Sequence, residues 1–408
     1  MKAGWELKKL CEIGKVYNGN SINEKVKKEK YSDLECGIPF IATKDINYEN
    51  KIDYANGIRI PFEDKRSFKT APKNTVLICA EGGSAGRKIG FTNQEVCFGN
   101  KLFALATNKN IDSRYVYYYY FSATFQKHFA VELAGIIGGV SMNKFKNLEI
   151  PLPSLPEQQS IVALLDETFT AIAKARANAE QNIKNAKELF ESYLQGVFNT
   201  KLHGSQFETL DSLCELIVDC EHKTAPTQET GYPSIRTPNI GKGVLILEGV
   251  NRVSEKTYNE WTRRAIPQTD DLILAREAPA GNIAVIPENV NVCLGQRTVL
   301  IRPKKHKLIS KFLAYLVLSN DVQKQLLSHS TGATVEHINM KDIRAFKIYN
   351  LSALPEQKTI VRQLDGLSAE TKKLEAIYQK KIKNLEELKK AILQKAFSGE
   401  LTSQLALT

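Results

Sequence analysis

Residues 154–166 read SLPEQQSIVALLD, and from Ser352 the chain reads SALPEQKTIVRQLD. Aligned on Leu155 and Leu354, the two stretches stand 199 residues apart. The match runs on without a gap. Ile183-Lys184-Asn185 returns as Ile382-Lys383-Asn384, Glu188-Leu189 as Glu387-Leu388, Leu194-Gln195 as Leu393-Gln394, and Phe198 as Phe397. A self-match of this length marks an internal duplication and has to be read before any single motif.

The doubling extends beyond these stretches. Leu10-Cys11-Glu12-Ile13 pairs with Leu213-Cys214-Glu215-Leu216, and IPFIATKDI (38–46) with YPSIRTPNI (232–240). AEGGSAGRKIG (80–90) pairs with AREAPAGNIAV (275–285), Gly99 with Gly295, and SRYVYYYYFSATFQK (113–127) with SKFLAYLVLSNDVQK (310–324). Small loop insertions account for the drift in offset. The chain is therefore two half-proteins in tandem, each a divergent globular part followed by a helical part. The expected division is 1–153, 154–202, 203–351 and 352–408. The fold class is α+β: two mixed α/β domains joined by two long helices that form an antiparallel coiled coil.

The helical parts carry an apolar line at alternating spacings of 4 and 3. In the second copy it runs through Ile360, Leu364, Leu367, Thr371, Leu374, Tyr378, Lys381, Leu385, Leu388 and Ile392. In the first copy it runs through Ile161, Leu165, Thr168, Ile172, Ala175, Ala179, Asn182, Ala186, Leu189 and Tyr193. Forty residues of helix extend about 60 Å, and a single apolar stripe of that length needs a partner. Phe169, Leu374, Leu385, Phe198 and Phe397 complete the set expected to pack helices or subunits. Pro156 and Pro355 suit a first helical turn, where a missing N–H costs nothing. Thr75 to Ala80 and Asp271 to Ala275 read as strands, and Ser113 to about Ala130 and Ser310 to Leu327 each as one helix. The tyrosines at 115, 117, 118, 119 and 120 go all round their helix, which favours packing over base stacking.

Composition narrows the function. The formal net charge is +11 over 408 residues. Residues 1–150 hold 23 basic and 16 acidic side chains, residues 203–350 hold 18 and 16. Basicity on this scale suggests a polyanionic partner whose binding face is made by arrangement in space. Seven cysteines without a CxxC pair, in a chain of this length, are expected to be reduced thiols. The opening MKAGWELKKL has no apolar core of a signal peptide, and no apolar run approaches the ~18 residues of a membrane span. A soluble cytoplasmic protein is expected.

Catalytic signatures are missing. The six histidines form no HExxH, and Cys220 with His222 is only a lone pair of metal-ligand types. EGGSAGRK (81–88) lacks the spacing of a nucleotide-binding loop, and its counterpart EAPAGN has lost most glycines. No two prolines are adjacent, so the Asn/Asp-Pro-Pro-aromatic motif of amino-methylating enzymes is absent. Glu81 and Glu277 end equivalent strands, either as carboxylates that read cytosine amines or as structural turn residues. Candidate DNA contacts are Lys44, Arg59, Lys65, Arg66, Lys69, Arg87 and Lys88 in the first half. In the second they are Arg236, Asn239, Arg263, Arg264, Arg276, Gln296 and Arg297. Arg and Gln offer bidentate geometry to bases, and Lys more often holds phosphate.

LPEQxxIV followed by a helix of about 40 residues, twice in one chain, resembles the DNA-specificity subunit of type I restriction–modification systems. The resemblance covers almost the whole chain. It implies that 1–153 and 203–351 are target-recognition domains, each reading half of a bipartite asymmetric site in double-stranded DNA. It implies that the helical regions set the gap and dock two modification subunits, which bring S-adenosylmethionine and methylate adenine N6. Restriction subunits, using ATP and Mg, complete the full complex in the prokaryotic cytoplasm. The chain itself would bind no cofactor or metal and catalyse nothing. The alternative is a structural scaffold with two divergent protein-binding heads on a helical rod, which leaves the divergence of the heads unexplained.

Overall fold

The computed structural model describes residues 2–135, 138–199, 206–277, 280–327, 337–349 and 351–401. The chain forms two units. One comprises Met1–Ala179 with Lys380–Thr408, the other Glu180–Gln379. Each unit holds one globular head and one half of each of two long helices, Leu155–Phe198 and Leu354–Ser398.

In the first unit, strands Gly14–Asn18, Leu102–Thr107, Val76–Cys79 and Ile89–Phe91 pair in that order as an antiparallel sheet. Val76–Cys79 is buried throughout, as its unbroken apolar run requires. A second sheet orders Arg59–Ile60, Ile38–Ile41, Val96–Phe98 and Thr70–Ala71, with the central two parallel. Glu6–Lys9 pairs with Glu149–Leu152, directly ahead of the long helix. The second unit repeats the plan. Cys214–Asp219, Thr298–Pro303, Leu272–Ala275, Ile283–Val285 and Gly243–Val244 form one sheet, and Arg252–Val253, Tyr232–Ile235 and Cys293–Leu294 another. Phe207–Thr209 with Lys347–Tyr349 leads into the second long helix.

The repeated LPEQ motif is a clamp between head and helix. The Gln158 side chain accepts from the Asp112 amide at 2.9 Å and donates to the Pro153 carbonyl at 2.9 Å. Gln357 accepts from the Ile309 amide at 2.9 Å and donates to the Ser352 and Lys307 carbonyls at 2.8 Å. Both amides are almost completely buried, where each lost partner is costly. Two turns of helix further on, a second motif repeats. Asp166 accepts from Arg114 and Tyr118, and Asp365 accepts from Lys311 and Tyr315 at 2.7 Å each.

Two expectations are corrected. Ser113 to Ala130 is not one helix but two, Ser113–Tyr119 and Ala123–Val131. Ser122 breaks it by capping the second helix, its hydroxyl accepting from the Phe125 amide. The counterpart divides likewise into Ser310–Leu318 and Asn320–Leu327, after Ser319. The tyrosines do pack: Tyr115, Tyr118, Tyr119 and Tyr120 are buried in the main core of the first unit, with Tyr117 against it.

The second correction concerns the seam. Ile161, Leu165 and Leu364 are buried as the 4-3 line requires, Phe397 is buried off that line, and Ile172, Ile360, Leu385 and Ile392 are half-buried. Leu189, Tyr193, Leu374 and Leu388 are exposed instead. Beyond Ala186 the inward side chains are Phe190, Leu194 and Phe198, spaced by four. Steps of four turn the stripe off the helix partner and onto the head, where Phe198 meets Phe312 at 5.3 Å. Phe169 is similarly drawn to Tyr118, at 5.5 Å. Within the first unit Arg176 pairs with Glu386, and Lys389 lies over the Phe169 ring. Within the second, Lys187 pairs with Glu375 and Tyr193 with Gln363. Burial, with the nearby Arg176 charge, lowers the Lys389 pKa.

Candidate nucleic-acid interface

In the first head the candidate cations fall into separate groups. The loop Glu81 to Lys88 turns at Gly86, whose φ of 70° lies in the left-handed region. Gln126 donates to the Gly86 and Tyr120 carbonyls, fixing that turn to the helix behind it. The turn presents Arg87 and Lys88 on Tyr48, with the guanidinium 5.2 Å and the ammonium 5.1 Å from the ring centroid. Lys88 also donates to the Thr43 carbonyl, next to the exposed Lys44. Tyr48 is 60% exposed and its hydroxyl lies 3.3 Å from Ser84. An exposed aromatic face beside three cations is suited to phosphate and base contacts alike.

Lys65 and Lys69 belong to a second group. Lys65 pairs with Glu95 at 2.8 Å, and that hydrogen bond lowers the Glu95 pKa. Lys69 reaches Asn18 at 2.9 Å, while its amide donates to Asn20. Arg59 donates to the Gly37 carbonyl, and Arg66 is exposed.

The second head gathers its candidates more tightly. Arg276 is 7% exposed and bonds Asp219 at 2.5 Å, the Ile338 carbonyl at 2.9 Å and His337 at 2.8 Å. His337 contacts Glu277 at 2.7 Å, and Glu277 holds Arg297 at 2.9 Å. Arg297 has a φ of 67°, an uncommon backbone for a non-glycine residue. Arg263 and Arg264 both meet Glu221, and Gln296 donates to the His222 carbonyl. Arg236 and Gln296 line one small pocket with Thr224, Thr227 and Asn251. Asn239 accepts from the Arg236 amide. Arg263, Arg264, Arg276 and Gln296 thus converge on the segment from Asp219 to His222, with Arg297 held beside it on Glu277, while Arg276 itself is committed to holding that segment.

Glu277 is bound to His337 and Arg297, whereas Glu81 is exposed. Their backbones nevertheless make matching bridges, Glu81 with Gly139 and Glu277 with His337. Sequence reading missed Tyr48, whose signal was an aromatic in a polar loop just after Lys44. It also missed Asp219, Glu221 and His337, for which no local signal exists because their partners lie 40 to 60 residues away in sequence. Among the described residues no group of three or more His, Cys, Asp or Glu could hold a metal ion. Cys220 and His222 form no such group. His203 and His329 lie outside the described residues. The seven cysteines are free thiols, and burial pushes Cys97 and Cys214 up to about 12. No described helix is long and apolar enough to cross a membrane.

Two unlike polar surfaces on two copies of one fold, each bound to long helices by the same clamp, define a duplicated recognition protein. The chain belongs to the family of type I restriction–modification DNA specificity domains, whose model matches twice, over residues 2–184 and 204–385. The EcoBI specificity subunit of Escherichia coli is 21% identical, the match covering 98% of this chain and 87% of that one. The StySPI specificity subunit of Salmonella potsdam is 26% identical, covering 90% and 83%. Among solved structures, a chain from a study of assembly and conformational transition of the type I R-M system superposes with a TM-score of 0.75. It is 18% identical, covering 97% of this chain and 98% of that one. The HsdS subunit from Thermoanaerobacter tengcongensis gives 0.58 at 19% identity, covering 98% of both. These two share the fold.

Proposed function

We propose that this chain is the sequence-reading, non-catalytic subunit of a type I restriction–modification complex and recognises a bipartite, asymmetric DNA site. Residues 1–153 and 203–351 are the two target-recognition domains, and 154–202 and 352–408 the helical regions between and after them. The observation that carries the reading is the contrast between unlike loops and identical clamps. One head has Arg87, Lys88 and Lys44 around Tyr48, and the other has an Arg-rich network around Asp219. Gln158 and Gln357 meanwhile share two equivalent bonds, to the Asp112 or Ile309 amide and to the Pro153 or Ser352 carbonyl. Two different targets require different loops on one common mounting.

In this reading the long helices form an antiparallel coiled coil. The opposed chain order of Arg176 with Glu386 and Phe169 with Lys389 supports it, as does that of Lys187 with Glu375 and Tyr193 with Gln363. The exposed Leu189, Tyr193, Leu374 and Leu388 are available to two modification subunits, which supply S-adenosylmethionine and methylate adenine N6. Restriction subunits supply the ATP- and Mg-dependent cleavage, and the complex works in the prokaryotic cytoplasm. The test is reconstitution with modification subunits and genome-wide mapping of methylated adenines. The reading expects two short unlike motifs separated by a fixed gap. Methylation at a single contiguous motif rejects the two-reader account.

A further inference from the structure

The two units differ where the head meets the long helices. In the first unit that angle is filled by aromatic rings. Tyr117 lies 5.0 Å from Phe121 and 5.6 Å from Tyr118, and Phe169 packs edge-on against Tyr118. The internal repeat places Ala314, Leu318 and Ser368 where Tyr117, Phe121 and Phe169 stand. The second unit therefore lacks three rings at one place. A cavity of about 690 Å³ opens there, and all three smaller residues line it.

The wall shows what fits. Phe190 and Tyr315, with centroids 6.2 Å apart, offer ring surface, and Leu194 and Val244 add aliphatic surface. The charges around the rim are largely satisfied within the chain. Lys311 pairs with Asp365 at 2.7 Å, Lys242 with Glu191 at 3.6 Å, and Lys187 with Glu375 at 3.7 Å. A charged ligand would have to compete with those pairs, whereas a neutral one leaves them intact. Polar groups are present at Gln195, Asn320 and Ser368. The volume falls within the ~300–1,000 Å³ of small-molecule sites, and far exceeds the roughly 150 Å³ apolar void that accommodates benzene elsewhere.

We propose that this cavity is a binding site for a neutral aromatic compound with one polar edge, which occupies the place held by Tyr117 and Phe169 in the first unit. The proposal is independent of the DNA-reading function. Indole is the probe, titrated into the full chain by calorimetry and by thermal unfolding. Saturable binding at one site per chain and a rise in Tm are expected. The variants Ala314→Tyr and Ser368→Phe, made separately, restore first-unit residues. Each is expected to raise the Tm of the free protein and to weaken indole binding at least tenfold. A third variant, Leu318→Phe, adds a smaller volume and is expected to weaken binding less. Absence of saturable indole binding to the unaltered chain overturns the proposal. So does unchanged affinity in any of the Tyr and Phe variants at 314 and 368 that remains folded. Should both of those unfold, transfer of indole magnetisation to the Phe190 and Tyr315 rings decides, and its absence counts against the site.

Discussion

Gln158 and Gln357 show how a single side chain explains a motif. In LPEQ the proline and the acid belong to a helix start, but the glutamine is what the fold uses on both sides. Its amide joins the end of the head to the first turn of the helix, with no water-exposed edge. Replacing Gln357 by Ala strands the Ile309 amide and the Ser352 and Lys307 carbonyls. A loss of about 2–3 kcal/mol is expected, since unsatisfied buried groups cost ~1–3 kcal/mol each and part of the gap is rehydrated. Urea unfolding measures it, and wild-type stability would contradict the clamp. Phe397 makes a second such point, its ring 5.2 Å from both Tyr115 and Tyr119. Phe397→Ala should cost about 3–5 kcal/mol. The tyrosines of this core also set a pH limit. Burial pushes Tyr117 up to about 12 and Tyr115, Tyr118, Tyr119 and Tyr120 further. An unfolded chain ionises its tyrosines near ~10, so between that pH and about 12 the unfolded state holds fewer protons than the folded one. Stability therefore falls as pH rises through this window. The share of tyrosinate absorbance contributed by these five residues should appear together with loss of the near-ultraviolet circular dichroism rather than ahead of it.

At the scale of elements, much was legible because it repeats. The two long helices, the strands Val76–Cys79 and Leu272–Ala275, and the division into matching halves follow from periodicity and self-similarity. What misled was a helix that bends its burial pattern to serve two neighbours. The 4-3 line assumed one partner for Leu155–Phe198, but Leu194 and Phe198 face a head, and a head contributes no period of its own. The break at Ser122 was missed for a different reason. Aromatic and small residues run on either side of it, and a serine cap is a weak signal inside an apolar run. Ser122→Ala should destabilise by about 1 kcal/mol through loss of the bond to the Phe125 amide, measurable as a lower Tm. The recognition loops were legible only as a list of basic residues. Which of them gather around Tyr48 or Asp219 depends on turns such as the one at Gly86 and on pairs remote in sequence.

For the whole molecule, the account is that heads choose sequences and helices set spacing. Arg87→Ala with Lys88→Ala should weaken binding or methylation through the first half-site while leaving discrimination at the second unchanged. Competition with DNA altered at one half-site at a time reads this out. Equal loss at both half-sites would contradict independent reading. The spacing claim has the most direct test. One heptad inserted at matched points of both helices preserves the 4-3 pattern and lengthens each by about 10 Å, roughly three base pairs of B-DNA. Twisting or bending of the duplex absorbs part of that change. The measurement is the map of methylated adenines made by the reconstituted modification complex, before and after insertion. The account predicts unchanged half-site sequences separated by a gap about one to three base pairs longer. An active insertion variant that methylates the original gap would contradict it.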